Sequence, residues 1–235
     1  MNPKVEFVSK PVGHTVFCSC DSNYFREFGI AMISSCDYVG QPIHIHIVNP
    51  TDCDIETLHK MSADYKLTHS NERTEIPFEN PKCYYAHNRF LIAPEILDEC
   101  GSLLIVDIDS LFVKPVLVED SKKFGLFLRE EGNQDTKTAA GIVLLRDSDC
   151  ADRLSDTITK SDFNHWYNDQ VALHKEYVES GWANSKSFIR FDKRDMFWDS
   201  ERNTKLFTGK GPRKYKPLYQ KLKKKYESRV NSGAL

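Results

Sequence analysis

The chain has 235 residues, with 32 lysines and arginines against 34 aspartates and glutamates and a formal net charge of −2, so it is not built to coat nucleic acid. At this length it can bury one sizeable core, and one domain over residues 1–235, with a basic C-terminal segment from about residue 205, is the expectation. There is no apolar run long enough for a secretory signal or a membrane span, and the seven cysteines (Cys18, Cys20, Cys36, Cys53, Cys83, Cys100, Cys150) form no Cys-x-x-Cys pair, which points to small buried hydrophobes in a reducing, cytoplasmic setting.

The first strand is read over His14 to Cys20, rich in β-formers and stopped by Asp21-Ser22-Asn23, which also supplies caps for a helix from about Tyr24 to Ser35. Ile43 to Val48 alternates strictly and predicts a second strand with isoleucines on one face and His44 and His46 on the other. Two histidines so placed could ligate a metal, but the commoner use is the polar side of a half-covered strand. Thr51 to Met61 reads as a helix, since Thr51 or Asp52 can cap it and Ile55, Leu58 and Met61 share a face. Strand, helix, strand, helix at this spacing predicts a mostly parallel, helix-covered α/β sheet of the Rossmann-like kind.

Asn71 to Pro81 is polar, broken by Pro77 and Pro81, and reads as a loop; helices follow from about Tyr84 to Ala93 and from Pro94 through Leu97. The chain then reaches Leu103-Leu104-Ile105-Val106-Asp107-Ile108-Asp109-Ser110. Read as an extended strand, this run puts Asp107 and Asp109 on one side and Ile108 on the other. Two acids this close would resist joint ionisation unless a cation sat between them, and a hard divalent ion such as Mn²⁺ or Mg²⁺ suits that role; two solvated acids at a strand end is the plain alternative. Phe124 to Leu128 and Ala140 to Leu145 read as strands around the polar loop Arg129 to Lys137. Helices start at Ser148 and near Asn168. Lys210 to Lys225 holds many cations and no acid, and Gly209, Gly211 and Pro212 force a loop before a last short helix.

In an open parallel sheet, ligands sit outside the carboxyl ends of the strands, so Asp21-Ser22-Asn23-Tyr24 and Asp107-Ile108-Asp109 are expected to share one rim. The first offers a carboxylate, an amide and an aromatic ring, which suits a nucleoside. There is no Gly-x-Gly-x-x-Gly and no Gly-x-x-x-x-Gly-Lys-Ser/Thr, so phosphates would need the metal on the two aspartates.

These residues resemble the nucleotide-sugar-dependent glycosyltransferases of the GT-A fold, most of all the retaining, galactosyltransferase- and glycogenin-like group called family 8, from about His14 to Pro217. The resemblance implies a metal-dependent hexosyltransferase using Mn²⁺ or Mg²⁺ and a nucleotide-diphosphate sugar, expected to be a UDP-hexose, with an unidentified glycan, lipid-linked or protein acceptor. It places Cys18, Cys20, Asp21 and Tyr24 at the nucleotide, Arg89 of Tyr85-Ala86-His87-Asn88-Arg89-Phe90 at the nucleotide-sugar, and Asp107 and Asp109 at metal and diphosphate. Ala139-Ala140-Gly141-Ile142 matches the family's Asn-Ala-Gly-Val strand, and Asn168-Asp169-Gln170 matches its Asp-Gln pair beside the transferred sugar, which makes Asp169 and Gln170 the catalytic candidates, with retention of the anomeric configuration. The family's C-terminal His-x-x-Gly-x-x-Lys aligns Gly211 and Lys214, with Lys210 beside them, but puts Thr208 where the histidine, a metal ligand, would stand; Ala139 stands where the family has asparagine.

Two other readings compete. A haloacid-dehalogenase-like phosphatase also has an apolar strand ending in Asp-x-Asp, but near the N-terminus and followed by a small pair rather than Ser110-Leu111-Phe112. A nucleotide-sugar- or carbohydrate-binding module that has lost turnover fits the Thr208 and Ala139 departures. Trp166, Trp182 and Trp198 suit sugar stacking or core packing. The segment from Thr208 to Lys216 is expected to close over a bound diphosphate, because Lys210, Arg213 and Lys214 cluster there without acidic neighbours.

Overall fold

A computed structural model describes residues 4–76, 80–131, 133, 136–162, 164–199 and 202–233. Of the expected loops, Pro77 in the Asn71–Pro81 stretch and positions 132, 134 and 135 in the Arg129–Lys137 stretch lie outside the described residues.

The chain opens with β1 (Glu6–Phe7) and β2 (His14–Asp21). The Asp21 carboxylate caps the next helix by accepting from the Tyr24 backbone N–H at 2.7 Å. That helix runs from α1 (Ser22–Tyr24) through a π-helical turn, Phe25–Gly29, into α2 (Ile30–Tyr38). Glycine is required in the turn, since a Cβ on Gly29 would lie 2.4 Å from the Phe25 ring. Next come β3 (Ile43–Val48) and α3 (Asp52–Asp64), which starts with a full capping box: Thr51 Oγ1 accepts from the Asp54 N–H, and Asp54 accepts from the Thr51 N–H. After β4 (Leu67–Glu72), α4 (Pro81–Leu91) and α5 (Ala93–Cys100) both carry proline in their first turn, where the missing N–H costs nothing. The remainder is β5 (Ser102–Val106), β6 (Ser110–Phe112), β7 (Phe124–Leu128), β8 (Thr138–Leu145), α6 (Ser148–Thr159), α7 (Asn168–Glu179), β9 (Phe188–Phe191), β10 (Met196–Phe197), β11 (Leu206–Thr208), a 3₁₀ turn over Gly211–Tyr215 and α8 (Pro217–Gly233).

Eight strands make one sheet in the order β1-β4-β3-β2-β5-β8-β7-β9, in which β1 and β8 run against the rest. The architecture is the mostly parallel, helix-flanked α/β sheet expected. Three short strands, β10-β11-β6, form a second sheet. One face of the large sheet buries Phe25, Phe28, Met32, Leu58, Tyr219 and Tyr226 from α2, its π turn, α3 and α8; the other buries Phe90, Ile96, Leu154 and Leu173 from α4 to α7. Because β2 lies between β3 and β5, the chain order reverses there, and the crevice opens outside the carboxyl ends of β2 and β5.

Several expectations are corrected. The run Leu103 to Ser110 is not one strand: β5 stops at Val106, and the Ser110 N–H bonds the Asp107 carbonyl at 3.0 Å, closing a turn that holds both acids. His44 and His46 are not on a half-covered face, since both are fully buried. His44 bonds Thr68 and Ser70 at 2.9 and 2.8 Å, and Phe7 and Phe17 lie against its ring. Burial pushes both imidazoles down to about 3, so they stay neutral and play no part at the rim. All seven cysteines are free thiols, but Cys53 is exposed rather than buried. Strands β1, β4, β9, β10 and β11 are additions to the sequence reading. No helix among the described residues is long and apolar enough to cross a membrane.

Candidate active site

A cavity of about 290 Å³ occupies the switch-point crevice. Each wall comes from a different element. The end of β2 and α1 give Cys20, Asp21 and Tyr24; the turn after β5 gives Asp107, Ile108 and Asp109; α4 gives Arg89; β8 gives Ala140 and Gly141; the start of α7 gives Asp169 and Gln170; and the segment after β11 gives Lys210, Gly211 and Lys214. Every expected site residue lines this one space except Cys18. The Cys18 side chain points into the core instead and is fully buried among the residues under α2, as the alternation along β2 requires once its neighbours Phe17 and Ser19 face the other way.

Arg89 is the electrostatic centre. It is 93% buried at the C-terminal end of α4, and its guanidinium donates from Nη1 to Asp107 Oδ1 and from Nη2 to Asp169 Oδ2, the latter at 3.1 Å. One planar fork thus joins two acids that come from opposite walls. Burial lowers the Arg89 affinity for its proton, but the two carboxylates outweigh it and hold the group charged. Burial pushes the Asp107 carboxyl up, yet Arg89, with Lys210 and Lys214, holds it below the ordinary carboxylate range. Asp107 can reach this place only beside glycine: a Cβ on Gly141 would lie 2.8 Å from Asp107 Oδ2.

Asp109 is placed differently. Burial and the neighbouring Asp107 charge push its carboxyl up, offset in part by Lys214, whose Nζ donates to Asp109 Oδ2 at 3.0 Å. The same ammonium donates to Tyr24 Oη at 2.8 Å and lies 4.5 Å from the centre of the Tyr24 ring, so the tyrosine expected to stack on a base carries the lysine. The Gly209 N–H donates to the Asp109 carbonyl at 2.8 Å, which ties the start of the C-terminal segment to the acid that its lysine neutralises. The expected set of cations without acidic neighbours is corrected on this point: Lys214 pairs with Asp109, and Arg213 pairs with Asp199 at 3.1 Å. Lys210 lines the cavity, and its pKa is lowered by burial and by Arg129.

Thr208, which stands where the family's histidine would be, does not line the cavity. It is buried in β11 opposite Ser110, and its hydroxyl has no partner among the described residues. Ala139 likewise packs into the core, and it is Ala140 and Gly141 that face the cavity. Arg89 and Lys214 each donate to one oxygen of their acid, Oδ1 of Asp107 and Oδ2 of Asp109, which leaves the second oxygen of each carboxylate without a hydrogen bond from these cations. Such a pair of hard oxygen donors fits Mn²⁺ or Mg²⁺ when the remaining positions are filled by ligand oxygens and water. A larger protein cage is not formed, since no group of three or more His, Cys, Asp or Glu side chains with that capacity occurs among the described residues.

Some lining residues were not singled out from the sequence. Ser19, Lys82 and Tyr85 face the cavity, and Ser19 Oγ donates to Asn88 Oδ1 at 2.6 Å, with Asn88 in turn donating to buried Glu72 at 2.9 Å. Strand alternation along β2 was the available signal for Ser19, which shares a face with Asp21. Nothing local in the sequence marks Lys82, whereas Trp166 is one of the three tryptophans read as suited to sugar stacking or core packing, and it lies on the cavity wall.

No protein-family model matches the sequence, and no curated protein sequence matches it. Solved structures do. The apo WbbM bifunctional glycosyltransferase superimposes with a TM-score of 0.60 over 92% of this chain and 52% of that one, at 11% identity. The glycosyltransferase GlyE of Streptococcus pneumoniae TIGR4 gives 0.64 over 94% of this chain and 64% of that one, also at 11% identity, and its apo form gives 0.61 over the same shares. This chain therefore spans 52% of WbbM and 64% of GlyE. It has the fold of these glycosyltransferases, and its cavity lies where that sheet reverses order.

Proposed function

We propose that the chain is a hexosyltransferase that takes its sugar from a nucleotide diphosphate, UDP being the expected nucleotide, and that it belongs to the GT-A, family 8 kind. The observation that carries this reading is the convergence, in one cavity of a glycosyltransferase-like fold, of the Asp107–Asp109 turn, Arg89, the Asp169–Gln170 pair and the cations of the C-terminal segment. In this reading Asp21 and Tyr24 receive the nucleoside. Asp107 and Asp109 would hold Mn²⁺ or Mg²⁺. When bound, the ion would supply positive charge to the diphosphate that departs. Lys210 and Lys214 sit on the same side and would add donors to the diphosphate, with Lys214 exchanging Asp109 for a phosphate oxygen. Retention, the stereochemical half of the proposal, rests on the resemblance of Asp169 and Gln170 to the family's pair. Asp169 is committed to Arg89, while Gln170 Oε1 has no partner among the described residues and is free to take a sugar hydroxyl.

The test is a thermal-shift panel of UDP-, GDP- and CMP-sugars with and without Mn²⁺, followed by hydrolysis of the donor that raises the midpoint. A UDP-sugar is expected to stabilise the protein in a metal-dependent way, and Asp109→Asn is expected to lose that dependence. Full turnover in chelator would remove the metal from the proposal. Tight donor binding without turnover by the native chain would identify a binding module.

A further inference from the structure

The three tryptophans differ in what surrounds them. Trp182 packs on Phe124 with ring centres 5.4 Å apart and donates its indole N–H to Glu176 at 3.0 Å. Trp198 packs on Phe127 and Phe197 at 6.1 and 5.4 Å. Trp166 makes no such aromatic contact among the described residues; it is 47% exposed and lines the cavity with Asp169 and Gln170. Indoles are usually mostly covered, so one held open at a cavity wall is informative.

The turn that carries Trp166 is tied down at several points. Cys83 Sγ of α4 donates to the Asn164 carbonyl at 3.3 Å, the Asn164 N–H donates to Asp162 Oδ1 at 2.9 Å, and Asn168 Nδ2 donates to the Asp162 carbonyl at 3.2 Å. These bonds anchor the backbone on either side of the indole. The same cavity is lined by polar groups, among them Lys82 at the start of α4 and Gln170, which is 94% buried and whose Oε1 lacks a partner among the described residues. A flat apolar face sharing a wall with polar groups suits a pyranose ring, which has a C–H face and a rim of hydroxyls.

We propose that Trp166 is the floor of an acceptor subsite for a carbohydrate, with Lys82 and Gln170 as hydroxyl partners. This rests on the transferase reading. In the reaction it serves, an acceptor hydroxyl oxygen bonds the anomeric carbon while the bond from that carbon to the donor diphosphate oxygen breaks. The electron pair of the broken bond leaves with the diphosphate, which also takes the hydroxyl proton.

The experiment measures binding of lactose, cellobiose, maltose and chitobiose to the full chain without donor, by saturation-transfer NMR and indole fluorescence, for native protein, Trp166→Ala and Trp166→Phe. UDP-glucose affinity is measured in parallel by calorimetry. At least one disaccharide is expected to bind through its C–H face, about five- to tenfold more weakly in Trp166→Ala, with most of the loss recovered in Trp166→Phe. UDP-glucose affinity should stay within twofold. Failure of every disaccharide to bind, or equal binding by Trp166→Ala, overturns the subsite. A parallel loss of UDP-glucose affinity overturns it too, by assigning the indole to the donor, as does transfer to a serine- or tyrosine-containing peptide at a rate that Trp166→Ala leaves unchanged. Trp166-dependent disaccharide binding in a protein that binds no nucleotide-sugar supports the sugar site and refutes the transferase reading.

Discussion

Two cations hold the cavity's acids from opposite sides, by different means. Arg89 sits on α4, a helix packed against β2, and spans Asp107 and Asp169 with one rigid group. Lys214 sits on a 3₁₀ turn after β11 and reaches Asp109 and Tyr24 at the end of a flexible stem. Both cations are buried to the same extent, with 7% exposure each, but Tyr24 beside Lys214 is 40% exposed. The contrast separates a rigid counter-charge, packed against the sheet, from one on a flexible stem, which under the proposed function a diphosphate would replace.

The largest test of that contrast is Arg89→Ala. It strands two buried carboxylates, and chemical denaturation should show a loss of about 3–5 kcal/mol. Arg89→Lys should recover less than half of it, because a point charge cannot serve two acids from opposite walls. Full recovery by lysine would mean that the fork geometry is unimportant.

Lys214→Ala strands one acid and should cost less, about 1–3 kcal/mol. Donor affinity should fall with it and lose part of its salt dependence, and limited proteolysis after Gly209 should no longer be slowed by donor with Mn²⁺. Equal protection in native protein and variant would make the C-terminal segment as fixed as α4 and collapse the distinction.

The platform under Tyr24 can be weakened through Asp54. Burial would raise this carboxyl, but hydrogen bonds from Arg26, Ser22 and Thr51 outweigh it and hold it down to about 2. A lowered carboxylate pKa contributes stability that is present above the ordinary value near 4 and is lost as pH falls through about 2. Asp54→Asn should therefore cost about 1–2 kcal/mol at pH 7, and its thermal midpoint should approach that of native protein by pH 2. A constant difference across that range would show that Asp54 acts only by packing.

The smallest effect is expected of Tyr24→Phe, which removes the hydroxyl from Lys214 but keeps the ring under the ammonium. A loss of about 0.5–1 kcal/mol, with donor affinity within threefold, is the expected reading in the same denaturation and calorimetry assays. A tenfold loss of donor affinity would show that the hydroxyl itself contacts the donor.

The parts of the molecule that local pattern encodes were readable in the sequence. The Thr51–Asp54 box, the alternation of Ile43 to Val48 and the apolar run Leu103 to Val106 each yield an element at the expected place. Leu67 to Glu72 was missed because Thr68, His69, Ser70, Asn71 and Glu72 carry no apolar period, and the strand exists because β3 supplies its hydrogen bonds and His44 and His46 its polar partners. The acids Asp107 and Asp109 were recognised, but strand alternation was the wrong reason, since a turn places them. Arg89 was legible only through the resemblance, and its bridge to Asp169 was not legible at all, because it joins residues 80 positions apart. The place of Lys214 on Tyr24 spans 190 positions and depends on β11 pairing with β6. Long-range pairings of charged tips leave no period in a sequence.

The π-helical turn at Phe25–Gly29 has a consequence for how this chain tolerates deletion. Such a turn accommodates one residue more than an α-helix of the same rise, so the residues before it are rotated by about 100° relative to an uninterrupted helix. Removing Glu27 or Gly29, rather than the buried Phe25 or Phe28, would let the α-helical ladder close from Ser22 to Tyr38 with its hydrogen bonds intact, and the fold would be expected to survive. The angular phase of Tyr24 would not survive: its ring would swing away from Lys214, and the cavity would lose one wall with no loss of helix. A shortened chain of this kind would be a folded protein with the proposed nucleoside end dismantled, an indel expected to abolish function although no cavity-lining residue has been touched.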